Sequence, residues 1–386
     1  MRALVLGGAG AVCREATRDL VATSDFEEIV VADADEGAAE ALVAELGDPR
    51  LSVRGFRVED HTGLAELLRG ADVVVNGLPF RYDLAVTRAA IDAGVSGLDV
   101  GSPKEQFELH DAAVAAGVVF VPGVGATPGT TNLMVRRAAE VCDRILEADI
   151  AFAAFRCLAP APGLLATTIW EFDPEEPDRR EATFEDGAMR PAPPLSGERV
   201  VRFHEQIGER SVFVVPHDEV FTLPRSFPDL RRVVVRGCFP PQVMEVMSAL
   251  LHAGLLSRRP VRVGGVEVPS VDLVRELLAA SPRSRENDVW AYGLVVEVRG
   301  ERQGRRVRCT YRNGHPPQEE WGGRSAYFKN VGIPLSIGAQ LIARGEVKEV
   351  GVLAPEQALP TEPFFAELAR RGIRVEEEIV EEGSLA

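Results

Sequence analysis

Up to about residue 125, short apolar runs alternate with amphipathic stretches. Residues 3–6, 28–32, 51–56, 72–76, 97–100 and 118–121 read as strands, and 15–23, 36–46, 61–68, 85–93 and 104–116 as helices. Strands alternating with helices at this spacing predict βαβ units on a parallel sheet. Right-handed crossovers make the doubly wound form its natural arrangement. After Asn132 the pattern changes. Residues 143–172 and 198–236 carry longer, alternating strand-like stretches, and 173–196, rich in Pro, Glu, Asp and Arg, reads as a surface excursion. Helices are expected over 243–256 and 270–280, and a hairpin joins 288–299 to 305–311 across the segment 300–304. A small-residue helix follows over 332–343, and another over 362–371 with Thr361 as its N-cap; the acidic end, 376–386, reads as solvated. The expected fold class is α/β. A Rossmann domain spans 1–125, an α+β substrate and dimerisation domain 126–330, and a C-terminal segment 331–386.

Bulk properties narrow the function. The chain has 386 residues, 46% hydrophobic, enough for a sizeable core in each half. Its formal charge of −16 argues against nucleic-acid and anionic-membrane partners, which need a basic surface. Five cysteines are scattered with no CxxC pair, so neither a disulfide framework nor a metal site is expected. No apolar run reaches the ~20 residues of a membrane span. The start, Met1-Arg2-Ala3-Leu4-Val5-Leu6, reads as a strand rather than a signal peptide. A cytoplasmic location is expected.

The first turn carries chemistry. The strand 3–6 runs into Gly7-Gly8-Ala9-Gly10-Ala11-Val12-Cys13 and then a helix. Gly8 and Gly10 match the first two glycines of G-x-G-x-x-G: one permits the turn, the other lets backbone approach a pyrophosphate seated on the helix N-terminus. Cys13 stands where the third glycine allows close helix–strand packing, and costs room there. Ala9, Ala11 and Val12 complete the cradle. The second strand ends in Asp33, placed to accept the adenosine ribose hydroxyls. The residues that follow it, Ala34-Asp35, include no cation for a 2′-phosphate, which favours NAD over NADP. Asp60 ends the third strand as an adenine contact or a plain surface carboxylate. Asn76, Leu78 and Pro79 after the fourth strand, and Asp99 at the fifth, lie at strand C-termini, where open α/β sheets bind ligands; ordinary turn roles are the alternative.

Residues 4–13, 73–80 and 89–101, the G-x-x-P-G-x-x-N pattern Gly125-Ala126-Thr127-Pro128-Gly129-Thr130-Thr131-Asn132, Thr222-Leu223-Pro224-Arg225 with Gly254-Leu255-Leu256, and Gly332-Ile333-Pro334 on to Pro355-Glu356 together resemble the saccharopine dehydrogenase-like family. The resemblance runs from residue 1 to about 378, is thinnest over 173–197, and is nearest to the lysine 6-dehydrogenase-like branch. It implies C-terminal helices returning to the Rossmann half, oxidation or formation of a C–N bond at an amino-acid carbon through an imine, and a homodimer. Gly125, Thr127, Pro128 and Asn132 would then line a substrate cleft. Asn132 either bonds substrate or caps the helix after it.

Amine oxidation needs a base and a cation for the substrate carboxylate. His217, in Pro216-His217-Asp218-Glu219, is the favoured base because imidazole titrates near neutrality. Asp218, Glu219 and Glu171 compete. Arg225 is the favoured cation, with Arg156, Arg231, Arg232 and Arg236 as rivals. The other histidines, His61, His110, His204 and His252, read as structural, and His315 as a weaker base. The expected activity is an NAD-dependent oxidoreductase acting on a small amino-acid or imine substrate. The alternatives are a Rossmann oxidoreductase of another carboxylated substrate, or a non-catalytic NAD-binding redox sensor.

Overall fold

In the computed structural model, which describes residues 1–384, the chain forms two compact units. The side chains of His61 and of residues 382–384 lie outside what is described. The first unit is Met1–Arg137 with Phe328–Arg374, the second Ala138–Tyr327 with the described residues from Val375 on.

The first unit is built on seven parallel strands, in the order Gly351–Val352, Val119–Val121, Ser96–Asp99, Val73–Asn76, Arg2–Leu6, Glu28–Asp33, Leu51–Gly55. Strands covered on both faces need continuous apolar runs, and residues 3–6, 29–32 and 73–75 are all buried. The helices follow local chemistry. Asp35 accepts Ala38 N–H at 2.9 Å and caps Glu36–Leu46, which Gly47 ends at φ +61°. The expected helix over 104–116 splits into a 3₁₀ stretch Lys104–Leu109 and an α-helix His110–Ala116. Strand order reverses between Arg2–Leu6 and Val73–Asn76, which sets the switch point where such sheets bind ligands.

The small-residue helix does return to this unit. It starts at Ser325, earlier than the pattern suggested, and runs through Pro334 to Ala343. Gly332 explains its composition: an added Cβ would lie 2.8 Å from both Ala16 N and Val12 O, so only glycine lets this helix touch the start of helix Cys13–Thr23. The last helix is Thr361–Arg370; its N-cap is Pro360, so Thr361 is its first residue rather than its cap.

The second unit holds a mixed nine-stranded sheet. Its main path is Arg199–Arg202, Glu209–Val214, Arg232–Cys238, Arg144–Phe155, Ala291–Arg302, Arg305–Gly314, Arg374–Ser384. Three expectations change here. Residues 143–172 divide into the strand Arg144–Phe155 and the helix Pro162–Phe172, whose proline suits a first turn. A helix, Glu219–Ser226, also interrupts 198–236. The excursion 173–196 is part of the fold: its hairpin Thr183–Glu185/Ala188–Arg190 pairs with Arg232–Cys238, and Arg179 is buried against the carbonyls of Glu171, Asp173 and Ala192. The acidic end forms a sheet strand, Arg374–Ser384, whose glutamates Glu376, Glu377, Glu378 and Glu381 face solvent. Its Glu381 pairs with Arg305 at 2.8 Å and Arg302 at 3.5 Å.

Candidate active site

The nucleotide cradle is a backbone construction. Gly7, at φ +68°, donates its N–H to Ala32 O at 2.8 Å and turns the chain out of the first strand. A Cβ on Gly8 would stand 2.8 Å from Val31 Cγ1, and one on Gly10 3.0 Å from Gly7 O, so neither position accepts a side chain without shifting its neighbours. Helix Cys13–Thr23 has no side-chain cap at its N-terminus. Arg14 and Glu15 N–H turn back onto Gly10 O and Val12 O, at 2.8 and 3.0 Å, so what the helix start offers a pyrophosphate is its positive dipole end beside side-chain-free backbone, and in this the cradle fits a dinucleotide. Cys13 does need room, and Gly77 provides it: a Cβ on Gly77 would fall 2.0 Å from Cys13 Sγ. The third glycine of the motif has in effect moved to the end of the neighbouring strand. Burial pushes the Cys13 thiol up to about 12, so it is inert.

The side chains expected to touch nucleotide are occupied with holding this backbone. Asp33 accepts Ala9 N–H and Asp35 N–H, both at 3.0 Å, and so ties the glycine loop to the second strand. Asp60 caps helix His61–Leu68 by accepting Gly63 N–H at 2.9 Å. Buried Asn76 donates to Asp83 Oδ1 at 2.8 Å and accepts Leu78 N–H at 3.2 Å, while Pro79 precedes the short 3₁₀ turn Phe80–Tyr82. Buried Asp99 accepts Gln106 Nε2–H at 2.6 Å and Gly123 N–H at 3.2 Å. The Gly125–Asn132 pattern forms a closed knot. Gly125 N–H donates to Pro128 O, Thr130 N–H to Gly125 O, and the Thr127–Pro128 bond is cis. Asn132 accepts Gly129 N–H and donates to buried Glu356, both at 2.8 Å, which joins the knot to helix Pro355–Ala358.

One feature of this unit escaped sequence reasoning. A cleft of about 710 Å³ opens beside Ala34 and Glu36, lined also by Arg54, Gly55, Arg57 and Asp60. The two arginines come from the third strand and its loop, and Gly55 pairs with Asp33 across the sheet. Residues adjacent in a parallel sheet can be some twenty positions apart, so a search for cations directly after Asp33 passes over them.

The second unit gathers a buried polar group. Glu171 sits in the last turn of helix Pro162–Phe172, and His217 and Glu219 at the start of helix Glu219–Ser226. Arg156 follows strand Arg144–Phe155, Tyr292 belongs to strand Ala291–Arg302, and Tyr327 to the first turn of helix Ser325–Ala343. Glu219 is wholly buried and its Oε2 lies 2.5 Å from His217 Nδ1. The His217 side chain is 11% exposed; against the cost of burial, Glu219, Asp218 and Glu171 raise it to about 9. Burial raises Glu171 to about 7, and its Oε2 has no hydrogen-bond partner. Aromatic rings enclose the group: Tyr292 stacks on Tyr327 at 5.1 Å, and Phe152 lies 5.6 Å from His217. Gly237 makes space for Phe152, since a Cβ there would meet its ring at 2.3 Å.

The arginines separate by position. Arg156 is fully buried and donates to the carbonyls of Cys157, Leu158 and Leu164, to Thr168 Oγ1 and to Tyr327 Oη. Arg232 and Arg236 pair with Asp149 at 3.3 and 2.6 Å. Side chains alternate along a strand, so these two point away from the face on which Gly237 meets Phe152. Arg225 is exposed on helix Glu219–Ser226, its guanidinium 3.3 Å from the Phe221 ring centroid. His315, the weaker base candidate, is held neutral, burial lowering it to about 4. Among the described residues no group of three His, Cys, Asp or Glu is arranged to hold a metal, and no helix is long and apolar enough to cross a membrane.

A glycine-cradled switch point in one unit and a buried acid–base group in the other describe an NAD(P)-binding dehydrogenase. The comparisons give that class its family. The saccharopine dehydrogenase NADP binding domain matches residues 3–121, and the saccharopine dehydrogenase C-terminal domain matches 166–373. The chain belongs to the saccharopine dehydrogenase family. It is 25% identical to a carboxyaminopropylagmatine dehydrogenase of Synechocystis sp., over 97% of this chain and 96% of that one. Over 139 residues, 36% of this chain and 30% of the other, it is 30% identical to an L-glutamate-forming, NADP(+) saccharopine dehydrogenase of Schizosaccharomyces pombe. The fold is that of the L-glutamate-forming saccharopine dehydrogenase of Saccharomyces cerevisiae, with TM-score 0.72 and 16% identity over 98% of this chain and 99% of that one. It is also similar to a homospermidine synthase of Legionella pneumophila in complex with NAD, with TM-score 0.64 and 12% identity over 98% and 91%.

Proposed function

We propose that this oxidoreductase acts on the C–N bond of an amino acid or of the corresponding imine, with NAD as its preferred cofactor. The observation that carries the reading is the buried group of Glu171, His217 and Glu219 in a chain of this family. A C–N oxidation must move a proton at nitrogen as well as a hydride at carbon, and a buried carboxyl raised to about 7 is suited to the proton. A redox sensor would have no use for such a group. NAD, when bound, supplies the hydride-accepting chemistry; Gly8, Gly10 and the open end of helix Cys13–Thr23 would hold its pyrophosphate, and Asp33 its ribose. Arg54 and Arg57 are the residues that would serve a 2′-phosphate if NADP were used. Arg225 is proposed as the carboxylate anchor.

The test follows NADH formation with purified protein against L-lysine and other L-amino acids, polyamines, saccharopine and carboxyaminopropylagmatine. Turnover of a compound bearing an amine beside its carboxylate is expected. Tight NAD binding with no turnover of any amine, and none of the imines in reverse, sinks the reading.

A further inference from the structure

Imidazole is the usual first choice for a base near neutral pH, but His217 is badly placed to act as one. Its Nδ1 lies 2.5 Å from Glu219 Oε2, and Glu219 is wholly buried. Asp218 and Glu171 add two further carboxyl groups to its surroundings. An imidazole among three carboxyls is held as the cation, and an imidazolium has no lone pair with which to take a proton.

Glu171 is in the opposite position. It is 5% exposed, and its Oε2 is buried without a hydrogen-bond partner. The cations near it are directed elsewhere. Arg179, from the 3₁₀ turn Pro177–Glu181, donates to the backbone carbonyls of Glu171, Asp173 and Ala192. Arg156 donates to three carbonyls and two hydroxyls. The remaining titratable groups acting on it or answering to it are His217, Tyr292, Tyr327, Glu219 through His217, and Cys238 on strand Arg232–Cys238. A buried carboxyl oxygen left unsatisfied is costly, and a catalytic role is one of the few reasons for a folded protein to keep it.

We propose that Glu171, rather than His217, exchanges the proton with the substrate nitrogen, and that His217, held as a cation by Glu219, sets its affinity for that proton. The assignment rests on the C–N reading above. In the oxidative direction the carbon–hydrogen electron pair leaves with the hydride for the nicotinamide. The nitrogen lone pair forms the C=N bond, and the N–H proton passes to the Glu171 carboxylate. In reverse, the protonated Glu171 returns that proton as the hydride arrives. His217 neither gains nor loses a proton.

The pH dependence of kcat/KM in both directions, for the wild type, Glu171→Gln, Glu171→Asp and His217→Gln, tests this. Amine oxidation needs the carboxylate and should rise through a limb near the Glu171 value of about 7, while imine reduction should fall through the same limb. Glu171→Gln should lose about 10²–10⁴-fold in rate together with that limb. Glu171→Asp should keep a displaced limb at reduced rate, and serves if the glutamine variant fails to fold. His217→Gln should keep the limb but move it upward, because the imidazolium favours the Glu171 carboxylate. Infrared difference spectra of nucleotide-free wild type and Glu171→Gln give a readout apart from activity, in which one carboxyl titrating near neutrality should be missing from the variant. Retention of the limb in Glu171→Gln, its loss in His217→Gln, or the absence of that carboxyl overturns the assignment alone. Turnover of no C–N substrate by the wild type overturns the reading beneath it as well.

Discussion

The two units use polar side chains in opposite ways. In the nucleotide unit Asn76, Asp99, Asp60 and Asn132 are bound to backbone groups or to the side chains of Asp83, Gln106 and Glu356, and function is left to bare backbone. In the second unit Glu171 is buried with an unsatisfied oxygen, while His217, paired with Glu219, holds a positive charge near it. A site that binds a large cofactor through N–H groups needs rigid loops, and satisfied side chains supply rigidity. A site that moves a proton needs a group whose two protonation states are close in energy, and incomplete satisfaction supplies that. The contrast can be broken from either side.

The largest expected effect is an acid limit on the second unit, set by two neutral histidines behind Tyr292. His315 Nδ1 donates to Pro316 O at 2.8 Å, so its Nε2 accepts Tyr292 N–H at 3.1 Å. His204 Nε2 donates to Tyr292 O at 3.2 Å, and the two rings are 4.8 Å apart. Protonating His315 would set one N–H against another and bury an unpaired cation beside the His204 ring. Burial accordingly lowers His315 from 6.5 to about 4. Between those values the unfolded chain binds a proton that the folded chain does not, so stability is fully present above 6.5 and lost as pH falls toward 4. A shift of this size corresponds to about 3 kcal/mol. Urea unfolding across that range should show the loss in wild type and not in His315→Gln; parallel curves would remove the histidines from the account.

Next in size is the displaced glycine. Gly77→Ala sets a methyl against Cys13 Sγ and should cost about 1–3 kcal/mol by overpacking. Adding Cys13→Gly should recover most of it, and a double-mutant cycle measures the coupling. Additive losses would mean that Gly77 is needed for its backbone alone.

The same contrast explains what was legible beforehand. The cradle lies within one strand–turn–helix, so local spacing reveals it, down to the cysteine in a glycine position; the compensation at Gly77 lies 64 positions from Cys13 and only the sheet brings them together. The acid–base group draws on residues 156, 171, 217, 219, 292 and 327, which share no local pattern. His217 stood out because histidines near carboxylates suggest a base, and the same carboxylates, once close enough, remove that ability. Glu171 is one of three carboxylates that compete with His217 in the sequence, and burial with an unpartnered oxygen distinguishes it from the other two. The acidic end shows the same limit: its glutamates are exposed, but that it pairs as the strand Arg374–Ser384, with Glu381 against Arg302 and Arg305, depends on residues far away in sequence.

A smaller effect separates support from contact at Asp33. Its carboxylate already accepts Ala9 N–H, so Asp33→Ala should loosen the loop for either nucleotide. Loss of a charged acceptor for the ribose hydroxyl should weaken NAD by a further factor of about 10–100, leaving NADP less affected. Arg57→Ala should weaken NADP alone. Isothermal titration with both nucleotides checks this, and an equal loss for the two in Asp33→Ala would reduce Asp33 to loop support.

The smallest effect expected is at Arg225. Its exposed guanidinium over Phe221 is worth about 0.5–1 kcal/mol as a cation–π contact, and a lysine would keep most of that. A bidentate grip on a substrate carboxylate is different, because lysine lacks the planar fork. Arg225→Lys should therefore leave the unfolding midpoint nearly unchanged. It should raise KM several-fold for a carboxylated substrate with kcat held, the signature of binding energy lost equally from ground and transition states. The matching amine without a carboxylate should show no change. An unchanged KM for both would leave Arg225 as a surface residue resting on its own helix, and the carboxylate anchor would have to be sought elsewhere in the fold.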